Sequence, residues 1–156
     1  KEAVPITFSL PLSPYAGILE EGKDFSMDEL HSHFKRMLDK YTVVIVEGAG
    51  GIAVPIKKNY DYAKLAKDWH LPILIVARAT LGTINHTFLS FFYAKESSLE
   101  IRGIVMNGFE GKDVSERTNA RIVEELTGIK PLEIPKIEGS LLPPHLRRAL
   151  LDLVGL

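Results

Sequence analysis

The chain has 156 residues, a length that reads as one domain, 1–156, with a sizeable core. Nineteen Lys and Arg against 20 Asp and Glu exclude a global electrostatic bias toward nucleic acid or an anionic membrane, so neither partner is expected. The absence of cysteine excludes disulfides and thiolate metal centres, and no apolar run is long enough to span a bilayer; a cytoplasmic protein is expected.

The chain starts in mid-phrase at Lys1, not at a methionine, which reads as a processed or truncated beginning. Ile6 to Leu12 is short, apolar and punctuated by Pro5 and Pro11, the pattern of an extended edge or pocket-lining stretch. Ser13-Pro14 has the form of a helix start, with Gly22 as its stop. Ser26-Met27-Asp28-Glu29 is a capping box, and the spacing of Leu30, Phe34, Met37 and Leu38 predicts an amphipathic helix to about Asp39. Val43 to Val46 are consecutive β-branched residues that predict a strand covered on both faces, ending in Glu47 and a glycine run. An acid at such a strand end is placed to meet a metal or phosphate, or it is simply a solvated carboxylate before a turn.

Tyr62, Leu65, Ala66 and Trp69 place a helix over Asp61 to His70, which Pro72 terminates. Ile73 to Ala77 is a second apolar strand. Thr83 to about Ser97 is a helix with two apolar faces, Ile84, Phe88, Phe91 and Phe92 on one and His86, Leu89 and Tyr93 on the other, so it is either deeply buried or touches a partner. Ile101 to Met106 is a strand followed by Asn107-Gly108, a dipeptide that favours a turn but whose amide can also address a purine edge. A polar helix over Val114 to Leu126, a short strand over Lys130 to Ile134, and a last helix opened by Pro143-Pro144 complete the chain. On the last helix Leu146, Ala149, Leu150, Leu153 and Val154 share a face. Strict alternation of strands and helices predicts an α/β, doubly wound, mostly parallel sheet flanked by helices. Leu81 to Asn85 falls at a helix N-terminus, where unpaired N–H groups favour an anion, although Thr83 or Asn85 as a simple cap explains the same residues.

Val46-Glu47-Gly48-Ala49-Gly50-Gly51 followed by Thr80-Leu81-Gly82-Thr83-Ile84-Asn85-His86 resembles the dethiobiotin synthetases, ATP-dependent ligases of biotin synthesis with a P-loop NTPase-like fold, over almost the whole chain. The resemblance implies ATP as co-substrate and Mg2+ as cofactor, with Glu47 as metal ligand. It implies nucleotide contacts at Glu47, Gly48, Ala49, Gly50, Asn107, Gly108, Pro135, Lys136 and Ile137. Pro11, Ser13, Gly50, Leu81, Gly82, Thr83, Ile84 and Asn85 would touch 7,8-diaminopelargonic acid, which is joined to CO2, and a homodimer is implied. The family's ribose-contacting acid falls near Leu142 here, a departure. No Gly-x-x-x-x-Gly-Lys-[Ser/Thr] loop occurs in the chain. The resemblance therefore implies the C-terminal two thirds of such a protein, lacking the N-terminal strand, P-loop and helix, with the catalytic residues outside this chain and the chain alone inactive. A membrane-switching regulatory ATPase, using Leu146 to Leu156 on lipid, and an inactive scaffold are the rival readings.

Overall fold

The computed structural model describes residues 2–139 and 141–156; Lys1 and Ser140 lie outside the described residues. The chain falls into two compact units, Lys1–Tyr62 and Ala63–Leu156.

In the first unit, helix α1 spans Pro14–Glu21. The Ser13 hydroxyl accepts the Ala16 N–H, and Gly22 closes the helix in the left-handed region at φ 64°. Helix α2 spans Met27–Lys40, with the Ser26 hydroxyl accepting the Glu29 N–H and Phe34 buried from its apolar face. Both starts and the first stop are where the capping residues place them. Two short strands, β1 (Pro55–Lys57) and β2 (Tyr60–Asp61), form an antiparallel hairpin that the sequence reading did not anticipate. Its turn is Lys58-Asn59, with Asn59 at φ 62°, a conformation that Asn tolerates better than most side chains. Lys57 ties this hairpin to the segment before α2: its ammonium pairs with Asp24 at 2.7 Å, bonds the Phe25 carbonyl and sits over the Phe25 ring at 4.8 Å.

Val43 to Val46 is not a strand. The segment is irregular and unpaired, and Ile45 is 89% exposed. A strand obtains its hydrogen bonds from neighbours, and in this unit the paired strands β1 and β2 bond only to each other, so propensity has no ladder to join.

The second unit is built on a parallel sheet of order β3-β4-β5, with β3 at Ile73–Arg78, β4 at Ile101–Phe109 and β5 at Leu132–Pro135. A helix α3 (Tyr62–Asp68) leads into it, ended by His70 at φ 53°. Helices α4 (Thr83–Glu96) and α5 (Glu116–Thr127) are the two crossovers. Ile104 and Met106 of β4 cluster with Val123 of α5 and Ile84 of α4, which sets the core on that face. Alternate residues of a strand point to opposite faces, so Gly103 and Val105 face the other way. Helix α6 (Pro144–Val154) covers that side with its apolar stripe, including Leu153. This is an α/β, doubly wound architecture with helices on both faces, consistent with a P-loop NTPase-like fold.

Gly103 permits the close approach of α6: a Cβ there would lie 2.5 Å from Leu153 Cδ1 and 2.9 Å from its Cγ. Gly103→Ala should therefore lower stability by roughly 1–3 kcal/mol through overpacking, against the entropic benefit of removing a strand glycine. Urea denaturation checks it; an unchanged midpoint would mean that Leu153 moves aside without cost.

Candidate functional site

The C-terminal edge of the parallel sheet gathers most of the sequence-predicted positions of the second unit. Arg78, Asn107 and Ile134 are neighbours in register across the three strands, and Phe109 lies opposite Pro135. Asn107-Gly108 does not make a turn. It continues β4 as an irregularity between Asn107 and Phe109, with Gly108 at φ 83°, and the Asn107 side chain is exposed. The Lys136 N–H donates to the Phe109 carbonyl at 2.9 Å, so the backbone from Pro135 to Ile137 runs beside the Asn107–Gly108 bulge. Asn107, Gly108, Pro135, Lys136 and Ile137 are thus brought together at two adjoining strand ends.

Glu110, which the sequence reading passed over, closes the same corner. Its two carboxylate oxygens take Lys112 at 2.6 Å and Lys136 at 2.5 Å. Those two ammonium groups hold its carboxyl down at about 2.

The second cluster is the turn from Ala79 to Asn85. The Ala79 N–H donates to the Asn107 carbonyl at 3.2 Å, which ties this turn to the end of β4. Gly82, at φ 90°, is the N-cap residue of α4 and supplies no side-chain cap. Thr83 is buried with its hydroxyl 3.2 Å from that of Thr87, and Asn85 is exposed, so the helix start is not explained by either residue as a cap. The Thr83 N–H reaches the Thr80 carbonyl at 3.3 Å. Ile84 and Asn85, in the first turn, have N–H groups that helix geometry leaves without intrahelical acceptors, at the positive end of the helix dipole. The Leu81 side chain is 82% exposed. A cleft of about 160 Å3 between β3 and α4 is lined by Val76, Arg78, Leu81, Thr83, His86 and Thr87 among others.

Two residues of the α5 region brace the turn, and neither was singled out in sequence. Asn119 is buried and donates its amide to the Ala79 carbonyl at 2.7 Å and to the Thr80 carbonyl at 3.3 Å. Asp113 accepts the Ser115 N–H at 2.8 Å and also the Leu81 N–H, which together hold its carboxyl below the usual range.

The remaining predicted positions lie in the first unit. Glu47 is exposed in an irregular segment. Gly48 lies against the Tyr62 ring, where a Cβ would be 3.2 Å from the nearest ring carbon. Gly50 is at φ 98° with Val54 Cγ2 3.0 Å from where a Cβ would stand, so glycine is required by backbone and by space. Pro11 and Ala49 are exposed, while Ser13 is committed to capping α1. The loop before Ser13 is pinned by Glu21, whose carboxylate accepts the N–H groups of Ser9 at 2.5 Å and Leu10 at 2.9 Å. The Leu10 N–H is the main cause of a carboxyl held below its usual range. Gly17 gives the Phe8 ring its seat, since a Cβ would fall 2.7 Å from Phe8 Cγ. Among the described residues no group of three His, Asp or Glu could enclose a metal.

The AAA domain family model matches residues 1–140, which puts the chain in that class of domain. Among characterised sequences, the ATP-dependent dethiobiotin synthetase of Aquifex aeolicus is 60% identical over 153 residues, covering 98% of this chain and 70% of the relative. That of Bacillus subtilis (strain 168) is 43% identical over 139 residues, covering 88% and 60%, and that of Hydrogenobaculum sp. is 45% identical over 128 residues, covering 81% and 58%. The chain belongs to the ATP-dependent dethiobiotin synthetase family, a family of ligases, and spans 58% to 70% of these relatives' lengths.

The Glu110 cluster has a direct test. A carboxyl depressed from the ordinary glutamate value to about 2 contributes stability that is present above the unfolded value and lost as pH falls through the folded one. Side-chain NMR should find Glu110 titrating near 2, and Lys136→Met should move it upward; an ordinary value in the unaltered protein would mean that the two ion pairs are not formed in solution.

Proposed function

We propose that the complete protein carries out ATP- and Mg2+-dependent carboxylation and ring closure of 7,8-diaminopelargonic acid with CO2 to dethiobiotin. One amine adds to CO2 as a carbamate, ATP phosphorylates the carbamate, and the second amine displaces phosphate as the ring closes, leaving ADP and phosphate. The observation that carries the reading is the α4 start: a glycine N-cap with no side-chain cap, exposed Asn85, and first-turn N–H groups at the ligand-facing edge of a parallel sheet. High identity to enzymes named for this chemistry supports it.

In this reading Gly82, Thr83, Ile84 and Asn85, with the Leu81 side chain, receive the carboxylate tail of the diamine. Pro11 and Ser13 line its path. Asn107 offers donor and acceptor to the base, with Gly108 and the backbone of Pro135, Lys136 and Ile137 beside it. Gly48, Ala49 and Gly50 let backbone approach phosphate, and Gly50 the carbamate as well. Glu47, a single exposed carboxylate, would be one ligand of Mg2+, a hard cation that takes one or two carboxylates and otherwise phosphate oxygens and water. Bound there it would neutralise charge on the nucleotide phosphates. Phosphoryl transfer also needs donors aimed at the developing charge, and the groups supplying them are assigned to the complete protein and not to the 156 residues here.

The two units are proposed to act as one domain in a soluble, cytoplasmic homodimer. The described helices include none long and apolar enough to cross a membrane. Leu89 and Phe92 of α4 are 55% and 54% exposed, an apolar strip suited to a second copy of the same helix. The membrane-switching alternative is disfavoured by α6, whose apolar stripe is engaged with β4 and β5 over Gly103.

In the complete protein Glu47→Gln should reduce kcat by about a hundredfold or more while leaving the fold intact, as loss of a charge-stabilising group does. Unchanged turnover would remove Glu47 from the metal site, and a soluble, folded protein with no ligase activity at all would favour the scaffold reading. Asn85→Ala should raise the KM for the diamine by about tenfold, the value of one hydrogen bond to a charged group, without moving that for ATP; a change confined to ATP would assign the α4 start to the nucleotide. Phe92→Glu should shift sedimentation from dimer to monomer, and a persistent dimer would place the interface elsewhere.

A further inference from the structure

We propose that Asn119 is a positioning residue of the tail-binding turn: its buried amide, bonded to the Ala79 and Thr80 carbonyls, fixes the direction in which α4 presents its first-turn N–H groups. The inference rests on the reading of Leu81 to Asn85 as the site of the substrate carboxylate. Ala79 and Thr80 connect β3 to α4, and a connection of this kind is held chiefly by where its carbonyls are bonded. The Thr80 carbonyl takes the Asn119 amide and the Thr83 N–H together, so one side chain, 39 residues away in sequence, meets the residue that opens the helix. Asn119 is only 3% exposed and stands four residues into α5, whose Val123 is fixed in the core with Ile104 and Met106. The amide is thus anchored on a rigid element, while the turn it holds is exposed at Thr80, Leu81 and Gly82. Ala or Leu at this position has no side-chain donor and would leave the Ala79 carbonyl without this bond and the Thr80 carbonyl with the Thr83 N–H alone.

The test uses the complete protein, the diamine acid, and a diamine of equal chain length lacking the carboxyl group. In the unaltered protein the acid should be preferred in kcat/KM. Asn119→Ala should lower that preference about tenfold, through the KM for the acid, with kcat/KM for the tail-less diamine and the KM for ATP unchanged. Asn119→Gln, which keeps an amide, should recover part of the preference. Hydrogen exchange provides a readout independent of activity: peptides covering 80–86 should exchange faster in Asn119→Ala, with those of β4 unaltered. An unaltered protein that does not distinguish acid from tail-less diamine would refute the tail-site reading itself. A clear preference retained in full by Asn119→Ala, or equal losses on both diamines, would overturn the positioning role and leave Asn119 as a core residue only.

Discussion

The middle strand β4 must be covered on both faces, and the second unit is arranged to meet that demand. Ile104 and Met106 are buried toward α4 and α5, and Gly103 and Val105 toward α6. A parallel strand cannot be joined to its neighbour by a tight turn, so each partner strand arrives through a helix, and each helix supplies the cover. The features at the C-terminal edge of the sheet follow from the same constraint. Because β3, β4 and β5 run the same way, Arg78, Asn107 and Ile134 end level, and the loops that leave them emerge on one edge. The turn at 79–82, the bulge at Gly108 and the backbone at Lys136 are adjacent for that reason, tied by the bonds Ala79 to Asn107 and Lys136 to Phe109.

Much of this was legible in the sequence where local rules decide. Ser13-Pro14, Ser26 and Gly22 mark helix ends through bonds made within a few residues, and Gly128 closes α5 at φ 71° as expected. The strands of the second unit were legible because each apolar run has its partner within the same unit. Val43 to Val46 has an equally strong run but no partner strand among the described residues, and so it is irregular and largely exposed. Strand formation is a property of pairs, which composition alone cannot report. The β1–β2 hairpin escaped notice for the opposite reason: its three- and two-residue strands carry almost no periodic signal, and only Lys58-Asn59 hints at a turn.

The site divides in the same way. Candidate positions that lie next to a glycine or a helix start could be proposed from sequence, because turn chemistry leaves a mark on it. Asn107-Gly108 carried that mark but was ambiguous between a turn and a ligand-facing amide, and the bulge resolves the backbone half of the question. Asn119 and Glu21 were missed because each acts at a distance of 11 or more residues, and Glu110 because one of its two partners, Lys136, is 26 residues away. An Asn within a polar helix looks solvated until its buried partners are known; the one available signal was its position one turn before Val123 on the apolar side of α5.

The bracing of the turn also constrains what Leu81 can do. Its side chain is 82% exposed, and the N–H of Thr83 lies within reach of the Thr80 carbonyl. In the proposed reading a carboxylate at the start of α4 would draw backbone donors from Gly82, Ile84 and Asn85 more readily than from Thr83, while Leu81 offers an exposed apolar side chain to the methylene chain behind it. Asp113 sets a further limit. Its negative charge lies on the Leu81 side of the turn, so a carboxylate approaching from that side meets repulsion, while one approaching along the α4 axis meets the positive end of the dipole. In the proposed reading, the fixed acid and the open helix end together would favour one orientation of an anionic tail, with its charge against the first turn and its alkyl portion toward Leu81.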